Sequence, residues 1–154
     1  MSKIFAFGDL HLGHEKVTIA RGFNSVDEHD NLIIKNYREL VTKHDKVYFL
    51  GDVCFKREKL ILLEKLPGYK ELVMGNHDKF PIQDYLKIFH RISGSVQRGG
   101  IIFTHIPIHP SELTCNGGRY ERNIHGHKHD SPSLGDEYIC LSLEKTNMKP
   151  VVIC

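Results

Sequence analysis

Short apolar runs that end in glycine recur three times in the first half of the chain. The runs cover residues 3–9 (KIFAFGD), 46–52 (KVYFLGD) and 70–78 (KELVMGNHD), and each passes directly from apolar residues to Gly-Asp or Gly-Asn. Short apolar runs bounded by turn residues are typical of buried strands. We therefore predict three buried strands, each followed by a polar turn.

Segments with helical spacing separate these strands. Apolar side chains in residues 25–44 recur at helical spacing, at Leu32, Ile33, Tyr37, Leu40 and Val41. Ser25, followed three residues later by Glu28, is typical of a capping box at a helix start. Residues 57–68, which end in Pro67-Gly68, predict a second helix. Alternating strands and helices at this spacing indicate right-handed βαβ units and a parallel sheet.

One more helix and four more strands are predicted in the second half. The helix covers residues 80–89, and the strands cover residues 99–107, 122–129, 137–144 and 149–154. A strand over residues 122–129 would bring His125, His127 and His129 to one side, because successive strand side chains point to opposite faces. The polar strand ends would meet at one edge of a sheet, where open α/β folds bind their ligands.

Length and charge narrow the class of protein. A chain of 154 residues is long enough for a core of its own, so we expect residues 1–154 to form a single domain. The 21 basic and 19 acidic residues give a net charge of +2 without a basic run. This balance argues against a surface that holds long duplex DNA.

The N-terminus and the cysteines indicate the cellular compartment in which we expect the protein. The apolar run at the N-terminus is too short and too polar for a signal peptide or a membrane span, so we expect a cytoplasmic protein without membrane contact. A reducing compartment keeps thiols free. No C-x-x-C spacing occurs among the four cysteines, which are Cys54, Cys115, Cys140 and Cys154.

Histidine is the unusual residue, with 11 copies, several of which follow predicted strands beside Asp, Asn or Gly. Taken singly, such residues are commonly turn residues, helix caps or semi-buried histidines. Together they are too many donors for one ion, which usually takes three or four protein ligands, and suit two ions that share a ligand. The candidate ligands are Asp9, His11, Asp52, Asn76, His105, His127 and His129.

The order of these motifs resembles a known superfamily. D-x-H, G-D, G-N-H-D, a lone His and G-H-x-H follow one another over residues 9–129, as in the calcineurin-like metallophosphoesterases. The opening GDLHLGH is most similar to the small bacterial and phage-encoded phosphoesterases of that superfamily. The resemblance implies an α/β fold, an αββα sandwich with mixed β-sheets and a metal site at the strand C-terminal ends. Too few residues follow His129 for a cap domain, so we expect none.

The resemblance also assigns the ligands to two divalent ions. One set is Asp9, His11 and His129. The other set is Asn76, His105 and His127. Asp52 would bridge the two ions. Nitrogen and oxygen donors without thiolate favour manganese, with iron, zinc, nickel or magnesium as alternatives, over calcium.

His77 and Asp78 complete the implied machinery. His77 would act as general acid or as a donor to the transition state, and Asp78 would orient it. Two metal ions can clamp a phosphoryl oxygen and lower the pKa of a bridging water, whose hydroxide attacks phosphorus. An alkoxide leaving group needs a proton, which histidine, with an unperturbed pKa near 6.5, can supply at neutral pH. The implied activity is metal-dependent phosphoester hydrolysis.

Departures from the family pattern narrow the class of substrate that we expect. Ser/Thr protein phosphatases of the superfamily carry a phosphate-clamping arginine in the second block, but this chain reads GDVCFKR and places Arg57 one residue further on. We therefore expect a small phosphomonoester or phosphodiester of nucleotide or cyclic nucleotide type. The alternatives are an RNA-end or protein phosphatase and, from a different class, a non-catalytic scaffold of the same fold.

Four further residues have open roles. His14, Arg119 and Arg122 are candidates for phosphate contacts, although each is more often a solvated surface residue. His125 fits neither ligand set, so it either supports a ligand from behind or faces away from the metals.

Overall fold

Two mixed β-sheets face each other in the computed structural model, which describes residues 1–153. The strands are β1 (Ile4–Phe7), β2 (Lys46–Phe49), β3 (Tyr69–Val73), β4 (Arg91–Ser93), β5 (Ser95–Arg98), β6 (Ile101–Thr104), β7 (Arg122–His125), β8 (Tyr138–Cys140) and β9 (Val151–Val152). The first sheet has the order β4-β3-β2-β1-β9, in which β9 is antiparallel to β1 and the other pairs are parallel. The second has the order β5-β6-β7-β8, in which β5 is antiparallel to β6 and the other pairs are parallel.

The α-helices of the described residues all precede β4. They are α1 (Glu15–Ala20), α2 (Val26–Leu40), α3 (Ile61–Glu64) and α4 (Ile82–Leu86). Short 3-10 turns lie at Arg57–Leu60, Pro110–Glu112, Thr114–Asn116 and Leu143–Lys145. The expected α/β sandwich with mixed sheets is confirmed, and the segment between β6 and β7 contains two of these 3-10 turns.

Alternation along the central strands builds a core on each face of the first sheet. Phe5 and Phe7 of β1 pack in a cluster that includes Tyr37 of α2. Ala6, which lies between them and points to the other face, packs in a second cluster with Phe103 of β6. The first sheet is therefore buried on both sides, as parallel sheets generally are.

The predicted elements are present with shorter bounds. Ser25 caps α2 as expected, because its Oγ accepts a 3.1 Å hydrogen bond from the Glu28 amide. The predicted helix over residues 57–68 is a 3-10 turn followed by the single turn of α3. The predictions missed the six-residue helix α1 and the strands β4 and β5, because elements this short leave little periodic signal.

One strand prediction was wrong in a way that matters for function. The strand over residues 122–129 ends at His125, and His127 and His129 adopt left-handed backbone angles, with φ of 67° and 49°. The three histidines therefore do not share one side of a strand. His127 and His129 lie in the loop after β7, where the backbone turns toward the first sheet.

Two smaller findings concern the membrane and the cysteines. Within residues 1–153, no helix has the length and apolar character needed to cross a bilayer. Cys54, Cys115 and Cys140 are free thiols, and Cys154 lies outside the described residues.

Candidate metal centre

The loops that follow β1, β2, β3, β6 and β7 converge and bring the candidate ligands together. Asp9, His11 and His129 each offer one donor atom, and these atoms lie within 4.8 Å of one another. We call these three residues group 1. Donor atoms of Asp9, Asp52 and His105 meet the same limit.

A second group of donors lies next to the first. Asn76 Oδ1 is 2.8 Å from His105 Nε2 and 3.0 Å from His127 Nδ1. The two imidazole nitrogens are themselves 3.2 Å apart. We call Asn76, His105 and His127 group 2. The two groups have the same members as the two ligand sets that the resemblance implies.

Asp52 lies between the groups. Its Oδ2 is 3.7 Å from His11 Nε2 in group 1 and 3.3 Å from His105 Nε2 in group 2. Its Oδ1 accepts a 2.8 Å hydrogen bond from the amide of His77, which holds the carboxylate in this orientation. One carboxylate oxygen therefore faces donors on both sides.

Unsatisfied polar atoms mark group 1 as a place for a cation. Asp9 Oδ1 and His11 Nε2 are buried and lack a hydrogen-bond partner among the described residues. Burial raises the pKa of Asp9 and lowers the pKa of His11 to about 3, in each case by disfavouring the charged form. Because buried polar groups are rarely left unpaired, a divalent cation between these atoms fits the residues present.

Group 2 fits a cation for a related reason. His105 Nδ1 lies 2.7 Å from the Leu50 carbonyl oxygen, which can only accept, so Nδ1 carries the proton. In the neutral ring, Nε2 then directs its lone pair at the oxygens of Asn76 and Asp52. Burial opposes a positive charge here, but the Asp52 carboxylate outweighs it and raises the pKa of His105. The position therefore attracts positive charge, either a proton or a metal ion.

The backbone at the site is held in an uncommon conformation. Seven non-glycine residues among those described have positive φ, and five of them are candidate ligands. These five are Asp9, His11, Asp52, His127 and His129, with φ between 49° and 67°. Left-handed angles cost non-glycine residues roughly 1–2 kcal/mol each and persist where surrounding structure enforces them, commonly at functional sites.

Three glycines allow the loops to approach this closely. A Cβ at Gly75 would lie 2.2 Å from Asp52 Oδ1, and one at Gly126 would lie 2.7 Å from Asp9 Oδ2. A Cβ at Gly51, where φ is +84°, would lie 2.6 Å from His105 Nδ1. The lack of a side chain at these three glycines therefore leaves room for the donor side chains of His105, Asp52 and Asp9.

Two residues that the sequence patterns did not indicate, Ser142 and Glu144, form hydrogen bonds to group 1. Ser142 donates a 2.6 Å hydrogen bond to Asp9 Oδ2 and accepts a 3.2 Å hydrogen bond from the His129 amide. Glu144 Oε1 lies 2.9 Å from His129 Nδ1 and 2.8 Å from Arg21 Nε. Burial opposes the charge on Glu144, but His129 and Arg21 outweigh it and lower its pKa to about 2.

Arg21 links Glu144 to the loop after β1. Its side chain is 3 % exposed, and its Nη atoms donate to the carbonyl oxygens of Asp9 at 2.6 Å and of Leu10 at 3.2 Å. Arg21 thus positions the backbone of Asp9 and the Glu144 carboxylate, which in turn orients His129. Nothing in the local sequence marked it, because a lone arginine after a short helix has no distinctive spacing.

His77 lies at the open side of the site. Its residue is exposed, and its ring centroid is 5.7 Å from that of His11. The Asp78 carboxylate accepts hydrogen bonds from the amides of Asp52, Val53 and Gly75 at 2.8 to 3.0 Å. No hydrogen bond joins Asp78 to the His77 ring within residues 1–153. The hydrogen bonds of Asp78 instead position the backbone of the Asp52 loop.

The four residues with open roles, and Arg57, fall in different places. The ring of His14 lies 5.7 Å from that of His11, beside the site. His125 is buried on the outer side of β7 against Tyr138, so it faces away from the two groups. The Arg57 side chain is paired with Asp84 at 2.7 Å. Arg122 and Arg119 lie at the opposite end of the second sheet, because β7 begins at Arg122 and Arg119 borders the turn before β6.

Known proteins resemble this chain in sequence and in fold. The uncharacterized protein MJ1445 of Methanocaldococcus jannaschii is 33% identical over 166 residues, which cover 98% of this chain and 87% of that protein. The Gene 66 protein of Mycobacterium phage L5 is 29% identical over 90% of this chain and 83% of its own length. A crystal structure of a protein of unknown function, AQ665 from Aquifex aeolicus, superposes with a TM-score of 0.77 at 24% identity, over 99% of this chain and 96% of that one.

The sequence model of the calcineurin-like phosphoesterase family matches residues 2–153, nearly the whole chain. The motif order of the chain, its two mixed sheets and the two donor groups at its strand ends agree with that match. The chain belongs to the calcineurin-like phosphoesterase family.

Proposed function

We propose that this protein is a dinuclear metal-dependent phosphoesterase that hydrolyses small phosphomonoesters or phosphodiesters of nucleotide or cyclic nucleotide type. The observation that carries the proposal is the position of Asp52. Its Oδ2 faces His11 Nε2 at 3.7 Å and His105 Nε2 at 3.3 Å, one from each donor group. A shared carboxylate between two sets of three donors suits a pair of divalent ions.

In this proposal each group holds one ion. Group 1 supplies a carboxylate and two imidazoles, and group 2 supplies an amide oxygen and two imidazoles. Sets of nitrogen and oxygen donors without thiolate favour manganese, with iron, zinc, nickel and magnesium as alternatives. When bound, the two ions would supply an electrophilic clamp for the phosphoryl group and an activated water at neutral pH.

The residues of the chain supply the remaining chemistry. His77, exposed beside His11, donates a proton from its ring to the leaving oxygen. Asp78 keeps its carboxylate on the backbone amides of the Asp52 loop and so maintains the spacing between the two groups. Glu144 and the Leu50 carbonyl fix the ring orientations of His129 and His105, as partners behind metal-binding histidines commonly do.

Two features favour a small substrate over a long nucleic acid. Arg57 is paired with Asp84, and the exposed Arg119 and Arg122 lie at the far end of the second sheet. None of these three arginines therefore extends a basic surface from the site toward a polymer. We propose that residues 1–154 form one domain without a cap, so that the exposed side of His77 faces the substrate.

Metal binding and ester hydrolysis test the proposal together. Metal-free protein should take up two Mn²⁺ per chain, measured by elemental analysis after gel filtration, and should then hydrolyse members of a panel of mono-, di- and cyclic phosphoesters. Asp52→Asn should weaken both sites together, whereas His129→Ala should mainly empty one. His44→Ala is the matched control, because His44 is exposed outside both groups.

The outcomes separate the competing functions. A single bound ion at saturating metal would contradict the dinuclear centre. Turnover confined to phosphorylated RNA ends or to phosphoprotein would replace the small ester by one of those alternatives. Two bound ions with no hydrolysis of any ester in the panel would favour a scaffold that keeps the fold as a binding surface.

A further inference from the structure

A pocket opens beside group 2, at the place where the chain passes from one sheet to the other. Gly94 alone separates β4 in the first sheet from β5 in the second. The pocket between these strands and the loop after β6 has a volume of about 350 Å³. Asn76 and His105 of group 2 form its inner wall, so the pocket is continuous with the candidate metal centre.

The outer walls of this pocket are uncharged. They are formed by Met74, Gly94, Thr104 and Ile106. Ile106 is 53% exposed, and the Thr104 hydroxyl donates its hydrogen to the Ile106 carbonyl oxygen at 2.7 Å. An apolar side chain that large, exposed next to the reacting centre, is available to contact a ligand. The wall has no free charge with which to recognise an ionic group.

A second depression lies on the other side of the centre. It lies next to group 1 and is lined by Val17 and Ala20 as well as by Arg21, His129, Asp130 and Glu144. Arg21 and Glu144 are paired with each other, and their partners hold the ligand loops. The lining beside group 1 therefore includes charged side chains, whereas the outer walls of the pocket beside group 2 include none.

We infer that the pocket of Met74, Gly94, Thr104 and Ile106 binds an uncharged, flat ester group of the substrate, such as an aryl group or a nucleobase with its sugar. This inference rests on the proposed function, since it places the phosphoryl group at the two donor groups and the uncharged group beside group 2. The volume of about 350 Å³ falls in the range of small-molecule sites, roughly 300–1,000 Å³. A peptide with charged side chains or a second phosphate would find no partner there.

Non-hydrolysable phosphonates test the pocket without relying on catalysis. Calorimetric titration of the Mn²⁺-loaded protein should show phenylphosphonate binding about tenfold more tightly than methylphosphonate, because burying roughly 50 Å² of ring surface changes affinity by that order. Both probes present the same phosphonate to the metal centre. The difference between them reports the pocket alone.

Two substitutions locate the effect. A Cβ at Gly94 would have no atom within 4 Å, so Gly94→Leu is expected to fold and to fill the pocket. Ile106→Ala removes the exposed wall instead. Both variants should reduce the preference for phenylphosphonate to less than about threefold and leave methylphosphonate binding unchanged, since only ring contact is lost. Ile82→Ala, which removes an exposed isoleucine of α4 outside the pocket, should keep the preference.

The results distinguish this inference from the proposed function. Equal binding of the two phosphonates to the wild-type protein, or a preference that survives in both variants, would overturn the inference and leave the phosphoesterase intact. If neither phosphonate bound to metal-loaded protein and no ester were hydrolysed, the proposed function itself would be wrong, and the pocket would lose its assignment with it.

Discussion

The Ser142 hydroxyl donates a 2.6 Å hydrogen bond to the Asp9 carboxylate, which joins the turn after β8 to the loop after β1 across 133 residues of chain. Both residues are fully buried. Burial disfavours the charge on Asp9, and the Ser142 bond is the largest contribution that opposes this effect. Ser142 therefore favours the ionised form of a candidate ligand at the place where the two sheets meet, although burial still raises the pKa of Asp9 overall.

Ser142→Ala should lower the stability of the metal-free protein by about 1–3 kcal/mol, because the buried Asp9 oxygen loses its hydroxyl donor. Urea unfolding in the presence of EDTA measures the change. Mn²⁺ affinity should fall as well, since the Asp9 carboxylate would hold a proton more readily. Ser95→Ala is the control, because Ser95 is exposed on β5. Equal midpoints for the two variants would show that the hydrogen bond is energetically neutral.

Asp78→Asn separates two roles for Asp78. The carboxylate accepts three amide hydrogen bonds, whereas the single carbonyl oxygen of asparagine cannot accept all of them. We expect a loss of about 2–3 kcal/mol in unfolding free energy and weaker binding of both ions, because the Asp52 loop is no longer held. A variant with normal metal occupancy, normal stability and low activity would instead assign Asp78 to orienting His77.

His77→Gln should retain both ions and lose about 10²–10⁴-fold in kcat, the usual contribution of a general acid. The loss should be smaller for nitrophenyl esters, whose leaving group needs less protonation. Parallel assays of nitrophenyl and alkyl esters, with metal content measured on the same samples, provide the comparison. An equal loss across leaving groups would assign His77 to binding or to stabilising charge in the transition state.

The pH dependence of stability should report Glu144. Its pKa in the folded protein is about 2, below the ordinary value of 4.5, so the unfolded chain binds the proton more tightly. The stabilisation from Glu144 is therefore fully present above about pH 4.5 and is lost as the pH falls toward 2. Urea midpoints of metal-free wild type and Glu144→Gln should converge over this range. A difference that stays constant down to pH 2.5 would contradict the low pKa.

Salt should have little effect on turnover of small esters. Binding of long nucleic acid depends on many Lys and Arg contacts with phosphates and weakens steeply with salt, and this chain has a net charge of only +2. Rates measured between low and moderate salt should therefore change little, and long duplex DNA should be a poor substrate throughout. Efficient, salt-sensitive cleavage of duplex DNA would replace the small-ester substrate by a nuclease reaction.

The sheet prediction succeeded where the sequence repeats one local pattern. Each of β1, β2 and β3 is an apolar run closed by glycine and a polar residue, and parallel pairing places these ends at one edge. The short strands β4 and β5 were missed because their residues are mostly exposed and carry no periodic apolar signal. Their stability comes from neighbouring strands, which the local sequence does not describe.

The sequence by itself determined which donor types gather and in what order, because chain direction alone brings the carboxyl ends of adjacent parallel strands together. Tertiary structure decided how each donor points. His105 is oriented by the Leu50 carbonyl, 55 residues away, and His129 by Glu144 from a turn after β8. Such bonds depend on strand register and on how the two sheets pack. Only the folded chain brings their partners within hydrogen-bonding distance.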